Sequence, residues 1–367
     1  MRLYKTELFK LFYRKFFMVC LLCVLGILLF DFYFINAGDE RSTVNGKLYT
    51  GYKAVQEDRK ITKESRGVLT DDKAEQIIEK YGFPSKVEEY YGDFRDQNYL
   101  NGFITEYLGN GYFRDWDDYK VSTSLYTISQ TDLGRAAEAG GNEIILDYTK
   151  GWTVFFDILQ LGMILGSVLV LVGVSPVFSE EYQNNMSALL FTSEEGKSKD
   201  IIAKIAACFT MTTIIYIAIV VCVSVCIGAV YGFEGKDCII GTVLANSLNP
   251  ESPETMKTVL YFASLTLVLD YLALISLCAI TVCVSAHSKT LFHAVSVSCM
   301  IWLAPLLIRL MGSGAGYLLI TGTPLFMIMT VVLLDIYRIL IIPVMIAMCT
   351  LILCTISSWR YQKKLPI

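Results

Sequence analysis

A chain of 367 residues that is 54% hydrophobic and 18% charged holds more apolar material than a soluble core of that length requires. The formal net charge of −4 hides an uneven placement of charge, and no nucleic acid is expected among the partners. Several charge-free runs approach the roughly 20 residues that cross a bilayer as helix, so the chain reads as a polytopic membrane protein rather than a soluble one.

The first 15 residues set Arg2, Lys5, Lys10, Arg14 and Lys15 against the single acid Glu7, with Leu3, Leu8, Leu11 and Phe12 among them. That mixture predicts an interfacial helix over 1–15. A first transmembrane helix is expected over 16–36. The rival, a cleaved signal peptide, is disfavoured by the length of the run and the lack of a small-residue cleavage site. The C-terminal tail, 359–367, carries Arg360, Lys363 and Lys364 and no acid. Basic flanks stay inside, so both termini are expected in the cytoplasm and the number of spans is expected to be even.

Residues 37–152 have another composition, rich in Asp, Glu, Lys, Tyr and Gly, with no window able to span. They predict an extracytoplasmic domain of mixed α and β structure. Within it TDDKAEQIIEKYG, 70–82, reads as a helix with Thr70 or Asp71 at its start and Gly82 past its end, whereas 121–130 looks strand-like or irregular. Further spans are expected at about 153–177, 201–231, 257–285, 291–311 and 336–358, with an outer loop at 232–256. GSGAGYLLITGTPLFMIMTVVLL, 312–334, is apolar enough to cross once, but its glycines and Pro324 break a helix. A seventh crossing would also put the basic tail outside, so 312–334 is read as two short helices dipping into the outer leaflet. The fold class expected is therefore membrane all-α, six transmembrane helices with an extracytoplasmic α/β domain between the first and second.

FSEEYQNNMSALLFTSEEGKSKD, 178–200, is a charged interruption between two spans. Phe178, Tyr182, Met186, Leu189 and Leu190 follow helical spacing and predict one apolar stripe, with Glu180, Glu181, Asn184 and Ser187 away from it. Gly196 can end this helix, expected at 178–193, and Ser198 can cap the next. The order of residues here resembles the cytoplasmic loop of type-2 ABC exporter permeases. The matching positions are Phe178, Glu180, Glu181, Met186, Leu189, Leu190, Thr192, Gly196, Lys199 and Lys204. The overall plan is similar as well, except for the large domain after the first span, which leaves the substrate open. The resemblance implies a coupling helix that docks on a separate cytoplasmic ABC ATPase. A second permease, identical or related, is implied beside it in the bilayer.

Gly196-Lys197-Ser198 suggests a phosphate loop, but that motif needs a glycine where Phe191 stands. No catalytic residue and no cofactor is expected in this chain, and ATP with magnesium is expected in the partner ATPase. His287 and His293 lack a nearby acid and make a poor metal site. Ten of the 11 cysteines lie in or beside apolar runs, where packing is the expected role; Cys238 is the exception. Asp270, in the middle of the fourth span, either faces a polar cavity on a translocation path or is satisfied by a neighbouring helix. Asp157, Gln160 and Arg309 are candidates for the same path, and Asp335 with Arg338 for a local pair.

Overall fold

In the computed structural model the described residues are 2–84, 96–110, 124–141, 143–186, 199–243, 257–311, 315–329 and 339–364. Helices dominate, at 78% of the structure. They begin with α1 (Arg2–Phe12) and α2 (Lys15–Phe30), the latter prolonged by a π-helical stretch, Asp31–Ala37. Among the described residues six helices are long and apolar enough to cross a membrane: Lys15–Ala37, Lys150–Gln183, Lys199–Val230, Val259–His287, Leu291–Leu310 and Ile341–Lys363. The protein is a multi-pass membrane protein, with the expected number of spans.

Between the first and second spans the chain forms a hairpin, β1 (Arg41–Val44) and β2 (Lys47–Thr50), then α3 (Tyr52–Ser65), β3 (Gly67–Val68) and α4 (Asp71–Tyr81). It continues with α5 (Tyr99–Leu108), β4 (Gly109–Asn110), β5 (Ser124–Leu125), α6 (Asp132–Gly140) and β6 (Ile145–Leu146). The strands form three antiparallel pairs, β1–β2, β3–β6 and β4–β5, of two to four residues each. The insert is thus more helical than a mixed α/β expectation implies. Thr70 accepts from the Lys73 amide at the start of α4 and Gly82, at φ 75°, ends it, as the sequence predicts. The hairpin turns on Asn45-Gly46, both at positive φ, in the register Val44↔Lys47. The Asp96 carboxylate accepts both turn amides, at 2.6 and 2.7 Å.

The second span is α7 (Lys150–Val174), followed by the short α8 (Pro176–Gln183). Then come α9 (Lys199–Val230), α10 (Val259–His287), α11 (Leu291–Met311), α12 (Ala315–Ile320), α13 (Pro324–Ile328) and α14 (Ile341–Lys364). The expectation of two short helices in 312–334 matches α12 and α13; residues 312–314 and 330–338, with Asp335 and Arg338, lie outside the described residues.

Contacts divide the chain into two compact units. The first comprises Met1–Leu28, Leu159–Val223 and Leu265–Ile367. In it glycines on α7 leave room for side chains of neighbouring helices to come close. A Cβ at Gly166 would meet Ile219, and one at Gly173 would meet Met211 at 2.4 Å and Phe17 at 3.1 Å. The second unit comprises Leu29–Ile158 and Ser224–Ser264. Its apolar core joins Ile61, Ile77, Leu100, Ile104, Leu108 and Leu146, with Ile239 contributed from the segment after α9. Polar bonds tie that segment down further: Arg59 pairs with Glu234, Tyr107 donates to the Gly241 carbonyl at 2.9 Å, and Thr149 to that of Thr242 at 3.2 Å.

Candidate functional site

The second span breaks where Pro176 follows Ser175. Proline brings no N–H but fits the first turn of a new helix, so α7 ends and α8 starts with backbone groups in need of partners. One hydroxyl on α10 meets several of them. Ser285 Oγ donates to the Ser175 carbonyl at 2.6 Å and accepts from the amides of Phe178 and Ser179, at 3.1 and 3.2 Å. One proton and two lone pairs are all a serine hydroxyl has, and all are used. Ser285 is fully buried there.

The rest of α8 is held from other sides. Glu180 pairs with Arg14, at the junction of α1 and α2. Lys204, one turn into α9 and only 2% exposed, donates to Glu181 at 2.8 Å and also pairs with Asp200. Its ammonium lies 5.9 Å from the centre of the Phe178 ring. Tyr182 donates to Gln362 Oε1 on α14 at 2.9 Å, and Gln362 Nε2 donates to the Ala286 carbonyl on α10 at 2.9 Å. Gln183 accepts from the Leu291 amide at 3.1 Å, filling an orphan donor at the start of α11. An eight-residue helix, too short to be stable alone, is thereby seated against α9, α10, α11 and α14. A cavity of about 210 Å³ lies beside it, lined by Glu7, Lys10, Arg14, Glu180, Glu181 and Lys204 among others.

Two expectations are corrected. A single helix over 178–193 is not formed, because α8 stops at Gln183 and Asn185 takes a left-handed conformation, φ 57°. Two adjacent asparagines suit such a stop, since Asn tolerates that region. The expected single apolar stripe is divided: Phe178 is 2% exposed, while Met186, past the break, is 52% exposed. Tyr182 is half-buried and bonded to Gln362, so it too belongs to the seating. Leu189, Leu190, Thr192 and Gly196 lie outside the described residues, and Lys199 is the first residue of α9. Sequence reasoning missed Ser285 and Gln362. The Ser175-Pro176 step signals that caps are needed, but nothing local says which residue, over a hundred positions away, supplies them.

The candidate path residues differ in setting. Asp270 is buried, and its Oδ1 has no hydrogen-bond partner among the described residues. Asp157 is exposed and Gln160 half-buried on α7. Arg309 is exposed, with its guanidinium 5.8 Å from the Phe326 ring centre. His287 stacks on Tyr361 at 3.9 Å, and His293 Nδ1 meets Ser288 Oγ at 2.9 Å. Among the described residues no group of three or more His, Cys, Asp or Glu is placed to hold a metal ion. No protein-family model, no curated protein and no solved structure matches this chain.

Proposed function

We propose that this membrane protein is the permease subunit of an ATP-driven ABC exporter, moved through the 178–200 loop by a separate cytoplasmic ATPase that binds ATP and magnesium. Two permeases, identical or related, stand side by side, with both termini inside and the 37–152 domain outside. The observation that carries the reading is the seating of α8. A handle transmits force only if it is fixed to what it moves, and α8 is fixed by ion pairs and hydrogen bonds to α9, α10, α11 and α14. Met186, past the break, is exposed, and Leu189 and Leu190 are the apolar residues assigned to docking on the ATPase. A bacterial cell membrane is the expected setting.

The test is purification of the tagged chain from its native membrane in mild detergent. A stoichiometric soluble protein with a phosphate loop is expected to accompany it, and Leu189→Asp is expected to remove that protein while leaving the chain folded. A chain that arrives alone, with no ATPase activity to recover, overturns the proposal. The polar ties between the insert and residues 231–242 support a second reading, in which the insert senses an extracellular ligand and transmits strain without passage. Ligand-dependent signalling that persists without ATP would favour it. Topology reporters at 240 and 320 are expected outside under six spans.

A further inference from the structure

The cavity beside α8 is walled from three sides. Glu7, Lys10 and Arg14 come from α1 and its junction with α2, Glu180 and Glu181 from α8, and Lys204 from α9. The first helix is tied to α9 as well, since the Tyr4 hydroxyl lies 2.8 Å from Thr210 Oγ1. Spans begin at Lys15 and Lys199 and another ends at Gln183, so by chain direction the three meet the cavity on one side of the bilayer. Span ends lie at the level of the lipid headgroups. The N-terminal segment also exposes Phe9, Tyr13 and Phe16, aromatic residues of the kind that settle into that layer.

The charges of the lining select a class of ligand, because they are sorted by depth. At the mouth are Lys10, Arg14 and Glu180, whose side chains are 53%, 32% and 44% exposed. Inside are Glu7 and Glu181, at 10% and 22%, with Lys204 held between Glu181 and Asp200. Two cations thus stand against one acid outside, and three acids against one cation inside. A lone anion is favoured at the mouth and repelled within, whereas a molecule that carries both signs can satisfy both levels. The existing pairs do not exhaust these side chains, since a carboxylate accepts at about four positions and a guanidinium has five N–H donors. A phospholipid whose tails stay in the bilayer presents its phosphate first and its terminal ammonium deepest, in the same order as the lining. The volume, about 210 Å³, suits a headgroup and leaves the tails outside.

We propose that this cavity is a binding site for a zwitterionic phospholipid with a primary ammonium, that is, for a phosphoethanolamine headgroup. Its phosphate takes donors from Lys10 and Arg14 at the mouth, and its ammonium donates to Glu7 and Glu181 inside. Leu11, Val177 and Met186, which also line the cavity, cover the carbon between them. A quaternary ammonium has no N–H to donate, so a phosphocholine headgroup loses the inner bonds. An anionic headgroup brings no cation for the acids. Bound there, the lipid bridges α1 and α8. The site rests on the cavity and on the spans around it, not on a transport activity.

The test is native mass spectrometry of the full chain, stripped of lipid in detergent and titrated with phosphatidylethanolamine, phosphatidylcholine and phosphatidylglycerol of the same acyl chains. Phosphatidylethanolamine is expected to be retained at about tenfold lower concentration than the other two, the worth of one hydrogen bond to a charged group. Glu7→Gln and Glu181→Gln are each expected to bring it down to the level of phosphatidylcholine. Retention of phosphatidylcholine itself stays unchanged in both, which shows that the variant chains are intact. Lys10→Gln is expected to weaken both lipids alike, because both carry the phosphate. Free phosphoethanolamine is expected to displace the lipid only in large excess. Four results overturn the proposal. Equal retention of the three lipids means that no headgroup is read. A preference for phosphatidylglycerol makes the cavity an anion site. A preference for phosphatidylethanolamine that survives either glutamine variant places the lipid elsewhere. Free phosphoethanolamine that binds as tightly as the lipid makes a solute the ligand.

Discussion

The short α8 turn and the long insert after the first span both interrupt an apolar chain with polar sequence, and they are held by opposite means. The insert is long enough to bury its own side chains, and Leu100, Ile104, Leu108 and Leu146 are all fully buried in its core. Burial of that kind is non-directional and scales with area, so the insert owes its order largely to itself. The α8 turn has eight residues and cannot make a core. Its order is borrowed through directional bonds: Lys204 to Glu181 and Asp200, Ser285 to three backbone groups, and Tyr182 to Gln362. Short segments between spans are as rigid as the helices around them make them.

The sharpest way to break this comparison is to remove Lys204. Its loss leaves Asp200 and Glu181 partly buried beside one another without a cation. Lys204→Met is expected to cost about 3 kcal/mol, and replacing the acids as well, with Asn and Gln, is expected to restore most of it. Thermal unfolding of the detergent-solubilised full chain reads both. A single variant that melts with the parent would mean that the turn is not held by charge. The matching change in the insert is Leu100→Ala, expected to cost a similar amount, about 2–5 kcal/mol, through the cavity it leaves. It should show as faster proteolysis of the insert in intact membranes, with the spans untouched. If instead the spans lose their order together with the insert, the two regions are one cooperative element.

How far the sequence reveals each region follows from the same difference. The spans are legible because roughly 20 apolar residues in a row have few other uses, and α4 because Thr70 and Gly82 mark its ends within the segment itself. The hairpin is marked too, by Asn45-Gly46, a strong turn signal that the composition of 37–152 does not reveal. The seating of α8 was not legible, because Ser285 meets Phe178 across 107 positions and Gln362 meets Tyr182 across 180. Helical spacing also joined Phe178 and Met186 in one stripe, since periodicity assumes a helix that is not interrupted, and the break at Asn185 divides them.

A smaller effect sharpens the comparison by pH. Asp58 is buried in the insert, where Ser42 donates to its carboxylate at 2.6 Å and the Tyr99 amide at 3.2 Å. Burial raises its pKa to about 6, against the opposing pull of those two hydrogen bonds and of Lys150, with Glu40 adding to the rise. From the ordinary value of 3.8 up to about 6, the folded insert keeps a proton that the unfolded chain has released. Stability therefore falls as pH rises through that window and levels off above it, by up to about 3 kcal/mol in all. Asp58→Asn keeps an acceptor for Ser42 and Tyr99 and removes the charge. It is expected to flatten the profile between pH 4 and 6 and to stabilise the insert at about pH 7. A slope that survives the substitution would place the titration elsewhere.

The smallest expected effect concerns Arg14 and Glu180. Their side chains remain 32% and 44% exposed, so water already solvates both charges and little is gained by pairing them. Arg14→Ala is expected to change stability by no more than about 1 kcal/mol, and by less as salt is added. The pair nevertheless joins the α1–α2 junction to α8, and its geometry has value even where its energy is small. If α8 is a lever, loosening that end should alter force transmission while stability hardly moves. The expected signature is a fall in partner-stimulated ATPase turnover in Arg14→Ala at an unchanged melting temperature, restored when the charges are exchanged in Arg14→Glu with Glu180→Arg. Equal losses in turnover and stability would reduce the pair to an ordinary surface contact, and the seating of α8 would then rest on its bonds to Lys204, Ser285, Gln362 and the Leu291 amide.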